Sequence, residues 1–239
     1  MYESNNAAEI YDLLYQDRKH YAGEAARVTE LIRERKPDAN SLLDVACGTG
    51  IHLAAFAKLY DRVAGLELSE WMAGLAEERL SGVPLHRGDM RSFELGESFD
   101  TVVCMFSSIG YLNTVADLED AVAAMARHLS EGGVLAIEPW YFPDTFIPGY
   151  VSTHALKTGT GDQGIARVAH STLEGRQTRM EIHYLTADSA KGITHRSEVD
   201  YLTLFSREEY ETAYRKAGLT PEYVETGNGT PGFYFGTRK

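Results

Sequence analysis

The stretch Ser41-Leu42-Leu43-Asp44-Val45-Ala46-Cys47-Gly48-Thr49-Gly50, with the segment His52–Leu59 that follows it, decides the fold. A short apolar run ends in a glycine turn and passes into helical spacing, so the unit reads as strand, loop and helix. The same grammar repeats downstream. Arg62–Glu67 (RVAGLE) is a second strand, Ser69–Leu80 a helix, Pro84–Arg87 a short third strand and Thr101–Phe106 (TVVCMF) a fourth. The spacing predicts a helix over Val115–Leu129 ending at Gly132-Gly133, where glycine takes left-handed cap geometry, and a fifth strand at Val134–Glu138. Upstream, Ala8, Ile10, Leu13 and Leu14 space helically, as do Ala22, Ala25, Ala26, Val28, Leu31 and Ile32. Short strands alternating with helices build a doubly wound parallel sheet with helices on both faces and right-handed crossovers.

Beyond Pro139 the pattern changes. Residues 150–204 have no helical period, and Glu174-Gly175-Arg176 separates Ile165–Leu173 from Thr178–Thr186 as the turn of an antiparallel hairpin. In the second arm Met180, Ile182 and Tyr184 alternate with Arg179, Glu181 and His183, which makes one face apolar and the other polar. A helix follows at Arg207–Ala217, opened by Ser206 with Glu209 three residues on and closed by Gly218. Pro221–Glu225 and Phe233–Thr237 are closing strands around Gly227-Asn228-Gly229. The expectation is an α/β chain, a doubly wound Rossmann-like sheet with an antiparallel β insertion after the fifth strand. Its division is residues 1–142 for the N-terminal helices and core, 143–205 for the insertion, and 206–239 for the helix and strands that complete the core sheet.

Composition narrows the function. The 239 residues carry 35 acidic and 23 basic side chains, a net charge of −12. A surface this negative does not attract polyanions, so neither nucleic acid nor an anionic membrane is an expected partner. Residues 143–200 differ, with six Lys/Arg against seven Asp/Glu, and are the place to look for a small anion such as a phosphate ester; ordinary solvated charge is the competing explanation. Cys47 and Cys104 lie far apart without metal-ligand spacing, and His170, His183 and His195 read as polar-face histidines, so no metal is expected. The start MYESNNAAEIYD has no basic or apolar leader segment, and no apolar run approaches the ~18 residues of a membrane span. A cytoplasmic monomer or homodimer is the default.

Ligands of doubly wound sheets sit at the carboxyl ends of the strands. Asp44 precedes the first glycine turn, Glu67 closes the second strand, and Asp89 follows the third. Gly48 and Gly50 allow close backbone approach, and an acid about 20 residues later accepts the hydroxyls of a ribose. A dinucleotide fingerprint needs a third glycine where Leu53 stands, and a phosphate-binding loop needs Lys-Ser/Thr; both are absent. With one short glycine turn and acidic strand tips, S-adenosylmethionine fits, because its sulfonium and ammonium are cationic.

The motifs LDVACGTG (43–50), GLELS (65–69), RGDMR (87–91), CMFSSIG (104–110), EPWYFP (138–143) and Gly149-Tyr150-Val151, with TRMEIH (178–183) in the insertion, carry a resemblance over nearly the whole chain. The sequence resembles class I methyltransferases, and more narrowly the N,N-dimethyltransferases of dTDP-linked 3-amino-3,6-dideoxyhexoses in macrolide sugar biosynthesis. The resemblance implies that Asp44, Ala46, Gly48, Gly50, Glu67 and Leu68 line the cofactor and that Asp89 with Met90 contacts adenine. It implies that Met105 closes the cofactor site, with Tyr11 and Tyr21 covering it. Ser107, Ser108, Tyr111, Glu138 and Trp140 then face the sugar, and Arg167 and Arg179 point towards the nucleotide diphosphate. The chain departs from the family at Tyr111, where many members have histidine, and at Gly229-Thr230-Pro231-Gly232, where many have a Ser-Gly-Arg-Gly stretch.

For mechanism, Tyr111 and Glu138 are the candidate proton acceptors, and alignment of amine, methyl and sulfur is expected to matter more than an obligate base. Simpler explanations stand beside these roles: core packing for Trp140 and the tyrosines at 11, 15 and 21, and solvated strand charge for Arg167 and Arg179. Alternatives for the whole chain are an O-methyltransferase, an amino-acid or amine N-methyltransferase, and a non-catalytic adenosine-binding scaffold.

Overall fold

The computed structural model describes residue 14 and residues 20–157, 161–227 and 232–239. Helix α1 (Tyr21–Arg35) leads into β1 (Ser41–Val45), α2 (Ile51–Phe56), β2 (Arg62–Glu67), α3 (Glu70–Arg79), β3 (Leu85–Arg87) and β4 (Phe99–Cys104). A 3-10 turn (Ser108–Tyr111), α4 (Val115–Arg127) and β5 (Leu129–Ile137) complete the first half. Four long strands follow, β6 (Tyr150–Lys157), β7 (Gln163–Glu174), β8 (Gln177–Asp188) and β9 (Gly192–Thr203), then α5 (Arg207–Lys216), β10 (Leu219–Val224) and β11 (Phe233–Arg238).

The core sheet has seven strands in the order β3-β2-β1-β4-β5-β11-β10. Strands β1 to β5 pair in parallel, while β11 runs antiparallel to both β5 and β10. Alternate residues of each strand feed two separate cores. Leu42, Val63, Val103 and Ala136 pack with Ala25, Val28 and Ile32 of α1 and Leu53 and Phe56 of α2. Leu43, Ala64, Val102 and Leu135 pack on the other face with Leu118, Val122 and Met125 of α4 and Tyr210 and Tyr214 of α5. Each Val, Leu, Ile, Phe or Met side chain among them taken out of water contributes about 1.5–3 kcal/mol, which favours this register of the strands. Strand order reverses between β1 and β4, so the cleft opens at the tip of β1.

The expected architecture is present: the doubly wound sheet, and after its fifth strand an antiparallel four-stranded sheet in the order β6-β7-β8-β9. The hairpin turns through two residues, Gly175 (φ +61°) and Arg176, one fewer than expected, because Glu174 already pairs with Gln177. Thr178, Met180, Ile182 and Tyr184 face inward, and Ile182 and Tyr184 join Leu14, Tyr21, Ile165 and Ala169 in a third cluster. That cluster lays the insertion across the glycine turn of the core. The helix opened by Ser206 forms as expected, with Ser206 and Glu209 in a reciprocal capping box.

One boundary differs. Helix α4 stops at Arg127 with His128 as its cap, and Gly132-Gly133 lie inside β5 and not at a helix end. Gly132 has φ +68°, close to a register shift between β4 and β5. The left-handed geometry expected of this glycine exists, but it serves an irregular strand. The first helical segment falls outside the described residues apart from Leu14, which is buried.

Gly65 sits under the turn that follows β1. A Cβ there would lie 2.6 Å from Leu85 Cδ2 and 2.8 Å from both Cys47 Sγ and Leu53 Cδ2. Gly65→Ala is expected to cost about 1–3 kcal/mol through overpacking, read as a lower urea midpoint with an unchanged slope.

Candidate functional site

The tip of β1 turns through a run of left-handed residues: Ala46 at φ 60°, Gly48 at 58° and Gly50 at 77°. Glycine tolerates this conformation, whereas at Ala46 it costs roughly 1–2 kcal/mol. Glu67, at the tip of β2, holds the turn open. Its Oε2 accepts the Gly48 N–H at 2.9 Å and its Oε1 accepts the Ser69 N–H at 2.7 Å. Ser69 also caps α3, accepting the Met72 N–H. One carboxylate thus ties the β1 turn to the start of α3 while lining the cleft.

Asp44 is buried beneath this turn, 1% exposed, and neither of its carboxylate oxygens has a hydrogen-bond partner. Burial, followed by the charge of Glu67, pushes its pKa well above the usual carboxylate range. Burial likewise lifts Glu67, against the lowering effect of its backbone donors. Two desolvated acids side by side are expensive unless a cation reaches them. Burial and the charge of Asp44 also push the Cys47 thiol up, so it is a small packing residue and no thiolate nucleophile.

Beyond β3, Asp89 lines the cleft with Met90, but its carboxylate is engaged: Arg91 donates to it at 2.6 Å while also holding Asp117 at 2.8 Å. The hydrogen bond from Arg91 holds Asp89 below the usual carboxylate range. What this loop presents to the cleft is therefore a carboxylate already paired, with Met90 beside it.

The tip of β4 forms the opposite wall. Phe106 and Ser107 are left-handed, at φ 55° and 58°. Glu138 Oε2 accepts the Phe106 N–H at 2.6 Å, and the Ser107 hydroxyl donates to Pro139 O at 2.8 Å. Glu138 therefore braces the strained turn in addition to lining the cleft. Ser108 starts the 3-10 turn that carries Tyr111, whose hydroxyl donates to Asp200 Oδ2 at 3.2 Å. Trp140 Nε1 donates to Thr178 Oγ1 at 3.2 Å, fixing the indole against β8.

Most of these groups line one continuous cavity of about 680 Å³ between the core sheet and the insertion, a volume suited to more than one small molecule at once. Of the residues expected at the site, Tyr21, Asp44, Ala46, Gly48, Glu67, Leu68, Asp89, Met90 and Met105 lie along it, as do Ser107, Ser108, Tyr111, Glu138, Trp140 and Arg167. Gly50 stands behind the turn as the cap of α2, packed on Ala76 and Leu80. Tyr11 lies outside the described residues. Arg179 requires correction. It sits on the outward face of β8, bound to Glu181 at 2.9 Å, because a period of two puts it opposite to Met180.

Arg167 is the contrasting case. It is 3% exposed; Nη1 donates to Ser152 Oγ at 3.0 Å, Nη2 approaches Met180 Sδ at 3.6 Å, and Nε has no partner. A buried guanidinium held by a hydroxyl and a thioether is under-satisfied and matches an anion. Among the lining groups not expected from the sequence, several come from the same sheet: Ser152, Ser171, Met180, Ile182 and Asp200. Their signal was the inward phase of each strand, together with an aspartate in a strand, where its propensity is low.

The acidic turn, the carboxylate at the β2 tip, the apolar floor of Leu66, Met72 and Met90, and the orphaned Asp44 together suit a cationic nucleoside. Comparison with known proteins agrees. A methyltransferase-domain family model matches residues 42–133. The chain is 50% identical over 237 residues, 99% of each chain, to the dTDP-3-amino-3,4,6-trideoxy-alpha-D-glucopyranose N,N-dimethyltransferase of Streptomyces venezuelae. It superposes on the crystal structure of Streptomyces venezuelae DesVI with a TM-score of 0.93 at 50% identity, covering 97% of this chain and 98% of that one. S-adenosylmethionine-bound CalS10, an amino pentose methyltransferase from Micromonospora echinaspora involved in calicheamicin biosynthesis, matches with a TM-score of 0.89 at 48% identity, covering 96% and 97%.

Proposed function

The chain belongs to the family of dTDP-amino-sugar N,N-dimethyltransferases, and from that premise we propose that it methylates the amine of a dTDP-linked amino-deoxysugar in natural-product biosynthesis. The observation that carries this reading is one continuous cavity that joins the acidic tips of β1 and β2 to the buried Arg167 on the insertion. Residues 1–142 provide the cofactor half, 143–205 the acceptor half, and 206–239 complete the core sheet.

S-adenosylmethionine, when bound, supplies a methyl group on a sulfonium that leaves as a neutral thioether. The protein's part is position. Glu67 accepts ribose hydroxyls with lone pairs its backbone donors leave free, Asp44 offers its buried carboxylate to the ammonium, and Met90 and Leu68 flank the base. Met105, Ser107 and Trp140 shape the passage between the two halves, and Arg167 takes a phosphate oxygen of the nucleotide. Fixing two reactants in line and excluding water accounts for up to ~7–11 kcal/mol of barrier lowering.

Incubation with S-adenosylmethionine and a panel of dTDP-3-amino and dTDP-4-amino sugars, followed by mass spectrometry, tests the reading. Mass gains of one and then two methyl groups on a dTDP-amino sugar support it. Methylation of only free amines or hydroxyl acceptors, or cofactor binding with no turnover of any acceptor, overturns it. Tyr111→Phe is expected to keep at least about a tenth of the turnover, since the lost hydrogen bond is worth about 1 kcal/mol. A loss beyond about a thousandfold contradicts catalysis by positioning.

A further inference from the structure

The sheet that roofs the cavity carries a buried carboxylate, Asp200, in addition to Arg167. Asp200 lies on the inward face of β9, 7% exposed, beside Met180 and then Ser171 across the strands. It lines the same cavity as Met105 and Trp140. Among the described residues Asp200 makes no ion pair, although the charge of the chain's amino terminus and that of Arg167 both act to lower its pKa. Glu198, two residues back on the same face, is taken up by Tyr184 at 2.7 Å and Arg196 at 2.9 Å. Arg167 is near enough to be felt, but its guanidinium bonds Ser152 and Met180. Among the described residues Asp200 is left with the neutral hydroxyl of Tyr111 as its donor. Burial, then the charge of Glu198, holds its pKa above the usual carboxylate range. A buried acid paired to a hydroxyl and facing a cavity is costly for the empty protein and complementary to an arriving cation.

The acceptor brings such a cation. An alkylamine at neutral pH is largely an ammonium, and only its unprotonated form is a nucleophile. We propose that Asp200 is the residue that receives the acceptor amine, binding it as the ammonium and then taking one of its protons. The N–H bond breaks, an O–H bond forms on Asp200, and the electron pair stays on nitrogen, ready for attack. Tyr111 acts through Asp200 as a positioning residue, its hydroxyl donating to Oδ2 at 3.2 Å. The proposal rests on the reading of an amine acceptor. It deepens that reading by locating the amine on the insertion and not at Glu138.

The test compares wild type, Asp200→Asn and Asp200→Glu on the dTDP-amino sugar that wild type turns over, with S-adenosylhomocysteine affinity as the check of folding. Asparagine keeps an acceptor for Tyr111 but no charge; glutamate keeps the charge. Expected is a loss in kcat/KM of about 30-fold at pH 7 for Asp200→Asn, with Asp200→Glu within about tenfold of wild type. Wild type should be nearly flat across neutral pH, whereas Asp200→Asn should rise about tenfold per pH unit, because its amine must arrive already deprotonated. In binding, wild type should prefer the amino sugar to the analogue with a hydroxyl at the same carbon, and Asp200→Asn should lose that preference. A purely structural Tyr111–Asp200 bond predicts the reverse ranking, Asn better than Glu with parallel pH profiles, and that result overturns the proposal. If Asp200→Asn does not fold, Asp200→Glu with unaltered kinetics and an unaltered acid limb overturns it too, whereas an acid limb displaced with the new carboxyl supports it. Failure of wild type to methylate any amine refutes the underlying reading itself, and with it this role for Asp200.

Discussion

Glu67→Gln is expected to weaken S-adenosylhomocysteine binding roughly 300-fold. The carboxylate accepts two backbone N–H groups, Gly48 at 2.9 Å and Ser69 at 2.7 Å. An amide of the same shape can accept only one of them and turns its NH2 towards the other. An unpaired buried N–H costs about 1–3 kcal/mol, and losing a charged acceptor for the ribose hydroxyls costs about 1.5–3 kcal/mol more. Together these approach the roughly 3.4 kcal/mol that 300-fold represents. Isothermal titration calorimetry is the measurement. A loss smaller than about tenfold would mean that the ribose is held elsewhere and that Glu67 is only a brace for the turn.

Arg167→Met should separate binding from stability. The guanidinium is almost fully buried, with one hydroxyl and one thioether as partners and Nε unsatisfied. Replacing such a charge by an apolar side chain of similar length is often neutral or stabilising. The ligand-free variant should therefore melt no lower than wild type and up to a few degrees higher, a gain of about 1 kcal/mol being worth ~2–4 °C in a chain of this size. Its affinity for dTDP should nonetheless fall about 100-fold, the worth of a charge-assisted contact to phosphate out of water. S-adenosylhomocysteine binding should be unchanged, because Arg167 belongs to the other half of the cavity. Unchanged dTDP affinity would place the diphosphate away from β7.

Both predictions concern residues whose types were visible in the chain from the start, yet they differ in how far their roles were legible. Glu67 could be assigned because strand, turn and spacing are local: an acid at the end of RVAGLE, 19 residues after Gly48, lands at the tip of the neighbouring strand whatever the rest does. Arg167 and Arg179 looked alike, two arginines on strands. A single step in the pleat separates them, and its direction depends on which face of the insertion meets the core. Gly132-Gly133 shows the same limit at a boundary. Glycine announces left-handed backbone but does not say whether a helix ends or a strand bends.

What the amino-acid sequence determined by itself is the alternation of elements, the glycine turn and the acids at the strand tips, since periodicity, capping and turn chemistry act over a few residues. Only the tertiary structure decided that the insertion folds back over the β1 turn and brings Asp200, Met180 and Arg167 into the cofactor's cavity. Those contacts join residues more than a hundred positions apart. They are chosen by the burial of Leu14, Tyr21, Ile165 and Ile182 against one another, a packing energy that no local window contains.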